Sequence, residues 1–169
     1  MCFSGHRALA QPVSALAPLL DRLLETCYDM GYRRFINGGA IGFDLLCAER
    51  VLDLRARHDD ARLMMVLPCA TQSLRWSDED SQRYEHLLYH ADSVRVLSQR
   101  YFAGCMMVRN RYMVDRSAFC ICYLNQPKGG TMGTVAYAME KGLSILNTAI
   151  PSDCEAFIRR ASMIQRFNP

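Results

Sequence analysis

Apolar and polar positions along this chain follow two periods in alternation. Between Val13 and Met30, Leu16, Leu19, Leu20, Leu23, Leu24 and Cys27 recur at i, i+3 and i+4, which predicts an amphipathic helix closed by Gly31. A second helix runs from the Gly38–Asp44 stretch to about Arg57, with Leu45, Leu46, Ala48, Val51 and Leu52 inward. Ser77 with Asp80 three residues on is a capping-box pattern, so a third helix is predicted from Asp78 to about His90. Cys105–Arg116, Thr131–Lys141 and Asp153–Arg166 read as three more. Between them lie short apolar runs: Cys2–Ser4, Phe35–Ile36, Arg62–Leu67, Val94–Leu97, Ala118–Leu124 and Ser144–Leu146. Strands that are apolar throughout and alternate with helices predict an α/β fold, a doubly wound and mainly parallel sheet with helices on both faces. No repeat, linker or low-complexity segment divides the chain, so residues 1–169 are expected to form one domain. The first strand begins almost at residue 1, so a few further N-terminal residues are expected in the natural protein.

The polar and glycine-rich clusters all follow predicted strands. They are Gly5-His6-Arg7, Gly38 to Asp44, Pro68 to Trp76, Ser98 to Cys105 and Gly129 to Thr134. In a doubly wound sheet those ends share one edge, where ligands bind at the reversal of strand order. Lys128-Gly129-Gly130-Thr131-Met132-Gly133-Thr134, set between a strand and a helix, has the layout that presents a helix N-terminus to an anion. Thr131 or Thr134 could cap that helix or bond a phosphate oxygen. Gly38, Gly39 and Gly42 could bring backbone N–H groups to a phosphate in the same way. Asp44 is the acidic residue of that loop; its candidate roles are, in order, a bond to a ribose hydroxyl, stabilisation of the helix start, and catalysis. Ser4, Gly5, His6 and Arg7 form the first loop, at the middle of the sheet, and His6 is a candidate general acid or base. Gln72 and Trp76, in the loop after Pro68, could cover a base by bonding and stacking; the alternative for Trp76 is packing under the loop. Arg109 carries a planar fork suited to two phosphate oxygens, and Asn110 beside it could bond a ribose or phosphate. Asp115 is expected to bond nearby backbone or to pair with Arg111 or Arg116. His86 and His90 stand at i, i+4 without the neighbouring Glu of a zinc motif, so no metal is assigned to them.

Composition narrows the class. Half of the 169 residues are hydrophobic and 22% are charged, which is globular. No apolar run approaches the roughly 20 residues of a membrane span, and the N-terminus lacks signal-peptide character. A cytoplasmic protein with no membrane partner is expected. The eight cysteines include no CxxC pair, and several sit in apolar runs, as buried thiols do. The net charge of +3 is small and the arginines are scattered, so nucleic acid is not an expected partner.

Several motifs, in order, resemble the YpsA-like proteins of the SLOG superfamily. They are Cys2–Arg7, Gly38–Asp44, Pro68-Cys69 with Gln72 and Trp76, Arg83-Tyr84, Ala91-Asp92, Gly104–Met106, Arg109–Asp115 and Gly129–Thr131. The resemblance spans residues 2 to about 146. It implies a Rossmann-like fold and a nucleotide-type ligand such as ADP-ribose, NAD or AMP, with no obligatory cofactor; a homodimer is expected by analogy with related folds. Ser4, Gly5, His6, Arg7, Gly38, Gly39, Gly42, Asp44, Pro68, Gln72, Trp76, Arg109, Asn110, Gly129, Gly130, Thr131 and Thr134 are the expected ligand and phosphate contacts. The related LOG phosphoribohydrolases carry a helix motif similar to Met106–Met113, which puts Arg109 on their catalytic Arg and Asn110 where they carry Lys. Their glycine motif aligns through Gly130-Thr131 and puts Thr134 where they carry a catalytic Glu. Thr134 cannot ionise, so it cannot supply that carboxylate. The implied function is a sensor or regulatory nucleotide-binding module. The alternatives are a nucleotide N-glycosidic hydrolase, with Arg109, Asp44 and His6 as catalytic candidates, and a DNA-binding module resembling the more distant DprA.

Overall fold

The computed structural model describes residues 1–167. The elements alternate throughout: β1 (Cys2–Gly5), α1 (Val13–Asp29), β2 (Arg34–Asn37), α2 (Phe43–Arg55), β3 (Arg62–Leu67), α3 (Asp78–His90), β4 (Ser93–Val96), α4 (Cys105–Val114), β5 (Phe119–Tyr123), α5 (Gly129–Glu140), β6 (Ser144–Asn147) and α6 (Pro151–Phe167). All five strand pairings are parallel, in the order β4-β3-β2-β1-β5-β6. The chain therefore steps outward from β1 to the β4 edge, returns through α4, and continues on the far side of β1. This places the reversal of strand order between β1 and β5.

The strands bury side chains of both parities, as a sheet covered on two faces requires. Phe3, Phe35, Leu63, Met65, Ile121 and Tyr123 pack with Leu16, Leu20, Leu23 and Leu24 of α1 and with Leu45, Val51 and Leu54 of α2. The alternate positions Cys2, Ile36, Val66, Cys120 and Cys122 pack with Met113 and Val114 of α4 and Val135 and Ala138 of α5. α6 docks on α1 and β6. Burying a Leu such as Leu23 contributes about 1.5–3 kcal/mol before the entropy of ordering it is counted.

The predicted helix start at Asp78 is capped as expected: Ser77 Oγ accepts from Asp80 N–H at 3.2 Å. α2 and α4 end earlier than the pattern suggests, at Arg55 and Val114. All eight cysteines are free and buried. Asp115 accepts a hydrogen bond from the Tyr137 hydroxyl at 2.8 Å, not from the arginines beside it in sequence. His86 and His90 lie exposed side by side, with ring centroids 4.4 Å apart. No helix among the described residues is long and apolar enough to cross a membrane.

Candidate functional site

The first loop hangs from its neighbours. His6 N–H donates to the Tyr123 carbonyl of β5 at 3.3 Å, and Phe43 N–H, opening α2, donates to the His6 carbonyl at 3.3 Å. The Tyr123 hydroxyl accepts from the Ala10 and Gln11 N–H groups at 3.1 and 3.2 Å. At Gly42, with φ of 88°, a Cβ would stand 2.2 Å from the Arg7 carbonyl oxygen. Glycine thus lets the loop before α2 press against the loop after β1.

Beneath these loops lies a buried polar network. Asn37 Oδ1 accepts from Gly39 N–H at 2.7 Å, and its Nδ2 donates to the Asp44 carbonyl at 2.8 Å. Asp44 Oδ2 accepts from Ala40 N–H at 3.4 Å and faces Arg109 Nη1 at 3.7 Å. Arg109 Nη1 also donates to the Gly38 carbonyl. Gln72 Nε2 donates to the Gly38 and Gly39 carbonyls at 3.3 and 2.6 Å. Asp44 and Arg109 are both 4% exposed. Burial pushes the Asp44 carboxyl above its usual range, and the Arg109 guanidinium and nearby backbone N–H groups pull it back. Burial lowers the Arg109 pKa, and Asp44 opposes that shift. Three buried polar atoms in this region have no partner among the described residues: Arg109 Nε, Gln72 Oε1 and His6 Nε2.

The opposite wall comes from α4 and α5. Thr134 Oγ1 donates to the Gly130 carbonyl at 2.8 Å and accepts from Asn110 Nδ2 at 2.6 Å. No side chain caps the start of α5, and its first N–H groups have no acceptor within the helix. The expectation that Thr131 or Thr134 caps this helix is thus not met. Thr134 is 1% exposed and ties the two helices together.

These walls enclose a cleft of about 350 Å³. Of the residues singled out in the sequence, Ser4, Gly5, His6, Arg7, Asp44, Arg109, Asn110, Gly130 and Thr131 line it. Gln72 and Trp76 instead line an adjoining groove that shares Arg7 and Met106 with the cleft. Gly38, Gly39, Gly42, Pro68, Gly129 and Thr134 line neither. The Gly39 N–H, expected to face a phosphate, is bonded to Asn37 instead. Trp76 packs edge-on against Tyr84, ring centroids 5.0 Å apart. Ala40 and Met106 line the cleft without having been singled out as contacts. Met106 precedes Arg109 by three positions on α4, so helical spacing alone would have placed it on the same side.

A parallel, doubly wound sheet with a polar cleft beyond the ends of β1 and β5 defines a Rossmann-like domain. The family model YpsA, described as the YspA SLOG family, matches residues 6–148, and the chain belongs to that family. Relatives include a UPF0398 protein of Bacillus cereus strain G9842, 26% identical over 133 residues that cover 77% of this chain and 72% of the relative. Another, from Halalkalibacterium halodurans, is 26% identical over 129 residues, covering 75% and 66%. Among solved structures, the single-stranded-DNA-binding DNA processing protein A of Helicobacter pylori superposes with a TM-score of 0.58 at 16% identity, covering 86% of this chain. The Streptococcus pneumoniae DprA superposes with a TM-score of 0.60 at 13% identity, covering 94%. This chain spans 63% and 56% of those two proteins.

These neighbours overturn the expectation that nucleic acid is not a partner. That expectation rests on the net charge of +3, and this fold occurs in a protein that binds single-stranded DNA. Net charge averages over the whole surface, whereas binding depends on where unpaired cations gather.

Proposed function

We propose that this protein binds a nucleotide-type ligand (ADP-ribose, NAD or an AMP-like compound) with its phosphate in the cleft, as a sensing or regulatory module. The observation that carries the reading is Arg109. A guanidinium that is 4% exposed, held by Asp44 and the Gly38 carbonyl and with its Nε–H unpartnered, is a preorganised anion donor on the wall of a cleft. The uncapped start of α5 contributes Gly130 and Thr131 to the same cleft, where the helix dipole favours negative charge. Hydrolysis of the LOG type has little support here, since Thr134 is both non-ionisable and hydrogen-bonded inside the fold.

Titration calorimetry with AMP, ADP-ribose and NAD tests the proposal, together with native mass spectrometry for a carried ligand. Binding of at least one is expected. Silence from all three, with no copurified nucleotide, would sink it.

A second reading, binding of single-stranded DNA, is favoured by the likeness to the Helicobacter pylori DNA processing protein A. A gel shift at low salt is the test, because phosphate-driven affinity is greatest there. A strand that stays unshifted even then removes this reading.

A further inference from the structure

Beside the cleft, the segment between β3 and α3 and the loop after β4 form a groove of about 430 Å³, lined in part by Arg7, Gln72, Leu74, Arg75, Trp76 and Tyr101. It shares Arg7 and Met106 with the cleft, so a ligand anchored by a phosphate in the cleft reaches the groove past Arg7. Neither Arg7 nor Arg75 forms an ion pair among the described residues. By contrast Arg83, on the adjacent helix α3, is held by Glu49 at 2.7 Å and Asp80 at 3.6 Å. Leu74 and Tyr101 are 77% and 64% exposed, unusual for an apolar and an aromatic side chain flanking one groove. The Trp76 indole is braced by its edge-on contact with Tyr84.

Gln72 supplies the polar selectivity. Its Nε2 hydrogens are engaged by the Gly38 and Gly39 carbonyls, which fixes the orientation of the amide. Its Oε1 is left as an acceptor without a partner, although the residue is only 8% exposed. A buried acceptor of this kind is satisfied by a ligand that brings a hydrogen-bond donor.

We infer that this groove is a nucleobase subsite for adenine or cytosine, whose exocyclic amino group stands where guanine, hypoxanthine and uracil carry a carbonyl, linked to the phosphate in the cleft. Trp76 and Tyr101 provide stacking surface, Gln72 Oε1 accepts from the amino group, and Arg7 and Arg75 neutralise the connecting phosphate. Uracil and hypoxanthine present a carbonyl where cytosine and adenine present the amino group, so they leave Gln72 Oε1 facing another acceptor. The inference rests on the nucleotide reading of the cleft. A free nucleotide and a base within a single strand share this chemistry.

Calorimetry on the whole chain with ribose 5-phosphate, AMP and IMP separates the two readings. AMP is expected to bind at least tenfold tighter than either of the others. Trp76→Ala, checked for folding by circular dichroism, should weaken AMP about 5- to 150-fold, the range that base–aromatic stacking spans, and leave ribose 5-phosphate unchanged. Equal affinity for AMP and ribose 5-phosphate would overturn the base subsite while leaving the phosphate cleft standing. Equal affinity for AMP and IMP would overturn the role of Gln72. No binding of any of the three would overturn cleft and subsite together. Oligo-dA and oligo-dT of equal length identify the source: dA binding more tightly than both dT and AMP supports the subsite with a strand as ligand. AMP binding more tightly than oligo-dA supports it with a free nucleotide.

Discussion

Gly38 is where a side chain and the backbone would compete for one space. A Cβ there would stand 1.7 Å from Arg109 Nη1, against backbone that accepts from both Arg109 and Gln72. Gly38→Ala should therefore cost about 1–3 kcal/mol in urea denaturation and displace the guanidinium from the cleft wall. Gly130→Ala is the control: nothing lies within 4 Å of its Cβ position, so stability should stay within about 0.5 kcal/mol of the native protein. Asp44 sets a pH dependence. Its folded-state pKa is raised above the ordinary 3.8, first by burial and against the pull of Arg109. The folded state therefore holds this proton more tightly, and Asp44's own contribution to stability is fully present below the unfolded pKa and is lost as pH rises through the folded pKa. Measured against Asp44→Asn, the native denaturation midpoint should lose ground as pH rises above 3.8 and then level off; a gap constant with pH would refute this.

At the scale of elements, the two cleft-lining helices on the far face of the sheet share an apolar contact and, within it, one buried side-chain hydrogen bond. Asn110 of α4 donates to Thr134 of α5, and both are buried. A double-mutant cycle with Asn110→Ala and Thr134→Val is expected to give a coupling of about 0.5–3 kcal/mol, and additive effects would show that this bond does not tie the helices. The position aligned with the LOG glutamate is thus a structural tie in this chain. Element types were legible from apolar periodicity together with cap and glycine signals, and β3 and α3 match their expected bounds. α2 and α4 were read too long because Ala56-Arg57 and Asp115-Arg116 suit a helix as well as the turn they occupy.

For the whole molecule, both cores share one sheet, with strand residues of alternate parity contributing to each. We propose that the described residues unfold as one cooperative unit. Fluorescence of Trp76, the chain's only tryptophan, reports the loop before α3, while far-UV circular dichroism reports all the helices. The two urea transitions should coincide, and separated midpoints would divide the chain into independent parts. The net charge of +3 misled at this scale: the exposed Arg7 and Arg75 gather at one groove without carboxylate partners among the described residues, while Arg22, Arg33 and Arg83 are paired elsewhere.

The sequence by itself determined the alternation of strands and helices, their parallel arrangement, and the loops that hold the site, because apolar periodicity and glycine placement act over neighbouring residues. Seven of the residues named from those loops do line one cleft, joined by Arg109 and Asn110 of α4. Tertiary structure alone decided that Arg109 is buried against Asp44 and the Gly38 carbonyl, that Thr134 faces Asn110, and that Gln72 keeps an unpartnered acceptor beside Trp76. Each of those facts joins residues 24 to 71 positions apart, or depends on a partner that is missing, and no local spacing encodes them. They follow from the order of strands in the sheet, which sets which loops meet.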